Sequence, residues 1–404
     1  MANIQPFRAI RPTRDKASLV ATRSYLSYNE ETIKEKLNHN PYTFLHVINP
    51  DYYKNLRSEG KAKYELIKQK IKSFIKSKIL FKEDSSSYYI YQKSDKNNSY
   101  TGIIAATSIN DYLNNKIKIH EQTISKREKM FRDYLDITEF NAEPVLLSHT
   151  PNEKINIILK KYVDFRSEYE FTTTNKCLHK LWIVNDSKDI LNITNSFKEI
   201  DTLYIADGHH RCASSALLSK DKLSEESNYF MSFLINENQL NILNFNRLIK
   251  HTNNLSVDDL IDRIKVSFKV TIKNNTFSPT LKNEIGMYIN NKWYSLIARK
   301  KKYSSISSSL DPSILTDYIL KPILNIKDER TDENLAFYNG NITLDDIKLK
   351  VDNKEYAVAF ILKPIPFYSI KKVADNNEIL PPKSTYVEPK IRSGLTIYPL
   401  NNGY

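Results

Sequence analysis

The stretch that most limits what this chain can become is Leu203-Tyr204-Ile205-Ala206-Asp207-Gly208-His209-His210-Arg211-Cys212-Ala213-Ser214-Ser215-Ala216-Leu217-Leu218. A short apolar run stops at Asp207 and one glycine follows. Good helix formers come next, with an apolar stripe through Ala213, Ala216 and Leu217. The pattern reads as strand, tight turn and helix. At such a junction the N–H groups of the first helical turn, the helix dipole and a guanidinium face one spot, which suits an anion such as phosphate. Asp207, at the end of the strand, is placed to hold a metal or to take a proton. A helix entry whose Asp and His side chains only cap locally is the plain alternative. Asp-Gly-His-His-Arg within five consecutive residues favours the functional reading.

Helix and strand patterns alternate around this turn. A strand is expected at 180–184, a helix at 187–199 and a strand at 202–206, which argues for an α/β fold with mixed α+β sheets rather than a bundle or a sandwich. Further out, residues 61–78 carry Leu66, Ile67, Ile71, Phe74 and Ile75 on one helical face. Thr150-Pro151-Asn152-Glu153 is a capping box with proline at the first helical position, opening a helix over 152–162. Strands are expected at 43–47, 88–91 and 101–106, and at 229–235 and 241–245 as a local antiparallel pair. A capped helix follows at 256–268. Later strands are expected at 270–272, 287–289, 292–298 and 357–362, with a helix at 311–320. The approximate division is 1–150, 151–250 and 251–404.

Composition narrows the function classes. The net charge of +13 invites a nucleic-acid partner, since a basic surface is the footprint of phosphate-backbone binding. Lysine, asparagine, isoleucine and tyrosine are, however, spread along the whole chain, and the densest basic run, Arg299 to Lys302, is short. A nucleic-acid partner is therefore not favoured. The chain has only seven glycines, and no two are spaced for a Walker A loop, a dinucleotide-binding G-x-G-x-x-G or the glycine-rich loop of protein kinases. Cys177 and Cys212 show no disulfide or zinc spacing. No apolar run approaches the ~20 residues that span a bilayer, so no membrane partner is expected and the cytoplasm is the default location.

Two other segments carry candidate chemistry. Lys116-Ile117-Lys118-Ile119-His120-Glu121-Gln122-Thr123 alternates like a strand and ends on an adjacent His120-Glu121 pair. That pair can supply a carboxylate base and a polar orienter, with Lys126 and Arg127 as phosphate ligands on the helix that follows. The tail from Ala374 to Gly394 is too polar and proline-rich for a regular element. Within it Lys383, Ser384 and Thr385 offer an ammonium and two hydroxyls, a clamp for phosphate or carboxylate. Near the start, Arg8, Arg11 and Arg14 can reach a phosphate, although solvated arginines are commoner there.

Taken together, Ile-Ala-Asp-Gly-His-His-Arg, the upstream Lys-Ile-x-x-His-Glu-x-Thr and the closing Leu-Pro-Pro-Lys-Ser-Thr-Tyr-x-x-Pro-Lys-x-x-Ser-Gly-Leu resemble the bacterial family known as domain of unknown function 1015. The opening Pro-Phe-Arg-Ala-Ile-Arg-Pro and Leu181-Trp182-Ile183-Val184 carry the likeness nearly end to end. One departure is Asn244-Phe245-Asn246-Arg247, where members usually show Pro-Thr-His-Arg; Asn246 cannot take over any acid-base role of that histidine. The turn is also similar to the signature turn of the ParB and sulfiredoxin-like fold, and within it to the turn of free L-serine kinases. The resemblance implies a ParB/sulfiredoxin-like nucleotide-binding core with large elaborations, and a kinase that phosphorylates the hydroxyl of free L-serine from ATP, or ADP, with Mg²⁺.

In that reading Gly208, His209, His210 and Arg211 cradle the nucleotide phosphates, and Asp207 binds Mg²⁺, directly or through water, or serves as base. Glu121 is the preferred base, His120, Lys126 and Arg127 contact substrate, and Lys383, Ser384 and Thr385 close over the phosphates or the substrate carboxylate. The alternatives are a ParB-like nucleotide-dependent DNA-binding or regulatory protein, a sulfiredoxin-like redox partner using Cys212, and a nucleotide hydrolase. The acceptor, the donor and the oligomeric state stay open at this level.

Overall fold

Seven residues of Ser99–Ser108 in an unbroken row and the first four of Tyr88–Ser94 are buried, so these strands present apolar side chains to both faces. Strands of that kind belong inside a sheet covered on both sides. The computed structural model describes residues 1–24, 27–53, 57–221, 224–299, 302–401 and 403–404, and it is a mixed α/β fold. The chain packs as two units. The first comprises Met1–Lys118, Thr123–Leu240 and Pro389–Tyr404; the second comprises Ile119–Gln122 and Asn241–Glu388.

The first unit is built on a nine-stranded sheet. Its main path runs Ile117–Lys118, Leu203–Asp207, Val145–His149, Tyr229–Asn236, Ser99–Ser108, Tyr88–Ser94, Leu178–Val184 and Tyr169–Thr172. Ile4–Gln5 adds to Ser99–Ser108 off that path. Most pairs are antiparallel, but Leu203–Asp207 runs parallel to Ile117–Lys118, and Tyr229–Asn236 parallel to Val145–His149. The helix His209–Asp221 packs against the helices Ser125–Thr138 and Ile109–Leu113. It buries Cys212, Ala213 and Ala216, a face of small side chains that allows close approach.

The second unit has an antiparallel six-stranded sheet in the order Phe268–Lys273, Lys292–Ala298, Glu284–Ile289, Val358–Ile361, Phe245–Ile249 and Leu335–Asn339. Its core includes Leu260, Phe268, Met287, Leu296, Ile319 and Phe360, all fully buried. The helix Val257–Lys265 opens on Ser256, whose side chain accepts the Asp259 N–H, as its sequence signal implies.

Several local expectations change. Residues 43–47 do not form a strand; Leu45–Ile48 is a short helix, because a brief apolar run has no period of its own. Only Ile117–Lys118 of the alternating segment is strand, and Glu121 makes an isolated parallel bridge to Leu380. At the capping box Asn152 is the cap, accepting from Ile155 N–H, and Pro151 precedes the helix instead of opening it. The strands near 229 and 241 are not partners. Tyr229–Asn236 sits in the first sheet, whereas Asn241–Leu243 pairs with Tyr386–Glu388. The helix at 311–320 is α over Asp311–Leu315 and widens to a π turn over Thr316–Leu320. Arg11 is not solvated: it is buried against Glu83, Glu168 and Tyr169. Lys300 and Lys301 of the basic run lie outside the described residues.

Candidate functional site

The expected strand, turn and helix form at Leu203–Asp207, Gly208 and His209–Asp221. The strand is buried as far as Ala206, and its register on Val145–His149 shifts between Ile205 and Asp207, so that Ala206 is passed over and Asp207 stands opposite Leu146. Gly208 has φ +100°, a conformation that a side chain would strain. A Cβ there would also lie 3.0 Å from the Arg211 guanidinium. Glycine thus lets Arg211 fold back over the turn.

Arg211 Nη2 donates to Asp207 Oδ2 at 2.8 Å, and Lys390 Nζ donates to Asp207 Oδ1 at 2.8 Å. The other arm of Arg211 reaches Glu143 Oε2 at 3.3 Å, and Glu143 Oε1 accepts from Ser393 Oγ at 3.0 Å. Ser393 is held in turn by backbone pairing with Thr22. Two cations and two carboxylates therefore meet at an open helix N-terminus. Their side chains keep between 28% and 37% of their exposure, so the network is reachable from solvent.

Enclosure by itself would raise the Asp207 pKa. Lys390 and Arg211, with a smaller contribution from His209, outweigh that and hold the carboxyl well below the usual carboxylate range. Asp207 is consequently a poor proton acceptor near neutral pH. Its two oxygens both carry cations, and among the described residues no group of three or more His, Cys, Asp or Glu side chains can hold a metal. These donors fit only a Mg²⁺ whose remaining ligands are phosphate oxygens and water. Cys212 is fully buried and burial pushes its thiol up, which does not suit a reactive cysteine.

His209 is buried at the first position of the helix, and His210 is half-buried beside it. Lys126 and Arg127 are exposed on the first turn of Ser125–Thr138. The remaining residues singled out from the sequence lie in the second unit. There the His120 carbonyl accepts the Leu380 N–H at 2.9 Å, and its ring Nε2 lies 3.5 Å from Thr385 Oγ1. Ser384 Oγ donates to Pro381 O at 2.7 Å, closing the turn that displays Lys383. Lys383 is exposed, with its ammonium 5.4 Å from the centre of the Phe245 ring. Asn246, at the position of the family's histidine, is buried and accepts from Asn244 and from Leu362 N–H.

Sequence reasoning did not find Lys390, Glu143 and Ser393. Lys390 and Ser393 were inside the quoted closing motif, and their regular spacing from Gly394 was the available signal. Glu143 carries no local pattern at all. Its role comes from a partner 68 residues away in the chain.

No curated protein matches the chain. Among solved structures, a conserved hypothetical protein from Pyrococcus furiosus aligns at 15% identity and TM-score 0.38, covering 73% of this chain and 94% of that one. A free serine kinase in complex with AMP aligns at 12% identity and TM-score 0.39, covering 73% and 91%. SbnI with a C-terminal truncation from Staphylococcus aureus aligns at 12% identity and TM-score 0.36, covering 74% and 87%. The family described as "Protein of unknown function (DUF1015)" matches residues 4–313, most of the sequence, and the chain belongs to that family.

Proposed function

We propose that this protein is a small-molecule kinase that transfers a phosphoryl group from ATP or ADP to the hydroxyl of a free amino acid, with L-serine the favoured acceptor. One observation carries the reading: Lys390 and Arg211 converge on Asp207 at the open start of the His209–Asp221 helix. A nucleotide polyphosphate offers more charge and more acceptor oxygens than a single carboxylate. It can therefore draw both cations and the helix N–H groups onto itself, as charge-assisted hydrogen bonds favour.

In this mechanism Gly208 leaves room for the Arg211 guanidinium over the turn, and His209, His210 and Arg211 follow it on the first helical turn. Arg211 and Lys390 stabilise the charge that builds on the transferring phosphoryl group. Mg²⁺, when bound, neutralises the phosphates, and Asp207 is the carboxylate of the turn that would hold it. Because Asp207 is a poor proton acceptor, the base is assigned to Glu121, with His120 and Thr385 beside it in the second unit. Lys126, Arg127, Lys383 and Ser384 are assigned to holding substrate or phosphate.

Incubation of the purified protein with Mg²⁺, ATP or ADP and a pool of free amino acids, followed by mass spectrometry, tests donor and acceptor together. O-phospho-L-serine is the expected product, and its absence removes serine as acceptor. Nucleotide turnover that needs no acceptor would make the protein a hydrolase. Glu121→Gln should abolish turnover while nucleotide affinity stays within about twofold, since a base contributes roughly 10²–10⁴ to rate and little to phosphate binding. Undiminished turnover would take Glu121 out of the mechanism.

A further inference from the structure

The closing segment meets the sheet of the first unit at a second point, which has no part in the mechanism. Lys390 reaches Asp207 and Ser393 reaches Glu143; Arg392, between them, reaches His179 and Asn175. Asp207 stands opposite Leu146, Leu146 opposite Phe233, and the Phe233 ring meets the Tyr91 ring at 5.7 Å. Tyr91 bonds His179, so these side chains lead across one face of the sheet from the Asp207 turn to Arg392.

His179 is buried and stacks on Phe171, with ring centres 5.4 Å apart. Its Nδ1 lies 2.7 Å from the Tyr91 hydroxyl, which fixes the ring. Burial, with the charges of Arg392 and Lys93, pulls its pKa down to about 3. The imidazole is therefore neutral, and its Nε2 accepts from Arg392 Nε at 3.4 Å. Arg392 Nη2 donates to Asn175 Oδ1 at 3.2 Å. Both partners are uncharged, and half-buried Arg392 forms no ion pair with a described residue. Neither do Arg23 and Lys36, whose cationic groups lie 5.0 and 5.5 Å from the centre of the Tyr28 ring. The Tyr28 hydroxyl accepts the Arg23 N–H at 3.0 Å and lies 3.1 Å from Thr22 Oγ1, and Thr22 pairs with Ser393, the neighbour of Arg392. Glu30, Glu31 and Glu35, on the helix that carries Lys36, are exposed and pair with none of the three cations. A guanidinium partly withdrawn from water and held only by neutral groups is completed by an anion.

We infer that Arg392, aimed by His179, is an oxyanion-binding residue that receives a carboxylate or phosphate of the ligand, with Arg23 and Lys36 adding positive charge from the Tyr28 side. His179 is a positioning residue: it holds the guanidinium without neutralising it. Lys390 and Arg392 are two residues apart, at most about 7 Å along the backbone, so one ligand with two anionic groups can meet both. The identity of that ligand rests on the kinase reading; the binding of an oxyanion does not.

The test is calorimetric titration of the full chain with ADP, O-phospho-L-serine and inorganic phosphate. Arg392→Ala should weaken at least one of the three by about tenfold or more, the loss expected for a charged hydrogen bond. Arg392→Lys, which keeps the charge but not the planar fork, should fall between the two. A loss confined to O-phospho-L-serine assigns Arg392 to the carboxylate, and a loss shared by ADP and phosphate assigns it to a phosphate. His179→Phe keeps a ring on Phe171 and removes the acceptor. It should cost several-fold in the parent and nothing further in Arg392→Ala, whereas a structural role would cost the same in both and overturn the positioning. The inference as a whole is overturned if none of the three probes binds, or if both Arg392 variants bind all three as the parent does. Arg392-dependent binding in a protein that phosphorylates no amino acid would refute the kinase reading and leave this assignment standing.

Discussion

Two ion networks in this molecule use similar groups to opposite ends. In the first unit Asp207, Arg211, Lys390 and Glu143 share charge near the surface, each about a third exposed. In the second, Arg247 and Glu329 face each other with side-chain exposures of 0% and 2%. Arg247 also donates to the carbonyls of Phe245 and Pro382 and lies over the Phe337 ring, so it ties two strands to the tail segment. An exposed network gains little from its own pairing and can be repartitioned by a ligand. A buried one has no competing partner and can only hold structure. The contrast separates residues to test by binding from residues to test by unfolding.

The largest effect should come from the buried pair. Arg247→Ala leaves Glu329 charged, buried and unmatched, and should destabilise the protein by about 3–5 kcal/mol in urea unfolding. A loss below about 1 kcal/mol would erase the distinction between the two networks. Next, Arg211→Ala should weaken nucleotide binding by about 100-fold in equilibrium titration, the scale expected when a bidentate charged hydrogen bond is removed, while the melting temperature moves by only a degree or two. A large drop in melting temperature without a loss of affinity would make the turn a structural element like its counterpart.

A smaller effect sharpens the comparison within one residue type. Asp207 is held low by its two cations, but Asp311, buried in the second unit, is pushed up to about 6. Burial drives the Asp311 shift; the Asn283 N–H at 3.0 Å and the charges of Lys282 and Lys363 offset only part of it. The sign follows from linkage. A carboxyl whose folded pKa is raised favours folding below its unfolded value of 3.8, and that advantage is lost as pH rises through about 6. Asp311→Asn keeps an oxygen for the Asn283 N–H and has no charge to bury. It should be about 2 kcal/mol more stable than the parent at pH 7.5 and nearly equal at pH 4, by urea unfolding at both. Asp207 has the opposite sign, and its contribution fades as pH falls below the unfolded carboxyl range. If the substituted protein and the parent were equally stable at pH 7.5, Asp311 would be better solvated than its position implies.

How legible each part was depended on how local its cause is. The helices Gly60–Lys76 and Ser187–Lys198 stand where their apolar periodicity puts them, because a helix's face is written within a few turns of sequence. Short apolar runs at 43–47 and 241–245 misled for different reasons: the first is too brief to show a period and forms the helix Leu45–Ile48, and the second takes its partner from far along the chain, Asn241–Leu243 pairing with Tyr386–Glu388. Asn246 was legible as a departure from the family pattern. Its burial and its bond from Leu362 N–H were not, because that neighbour is 116 residues away.

The turn at Asp207 shows the division most clearly. Sequence by itself determined that a strand ends at Asp207, that Gly208 makes the turn and that a helix carrying Arg211 in its first turn follows. Only the tertiary structure decided that Lys390, 183 residues downstream, takes the other Asp207 oxygen, and that Glu143 and Ser393 brace Arg211. Helix periodicity is set by neighbouring residues, whereas the meeting of distant charges is set by which strands pair and where the chain returns. The local pattern marks a place for an anion, and the return of the tail supplies its second cation.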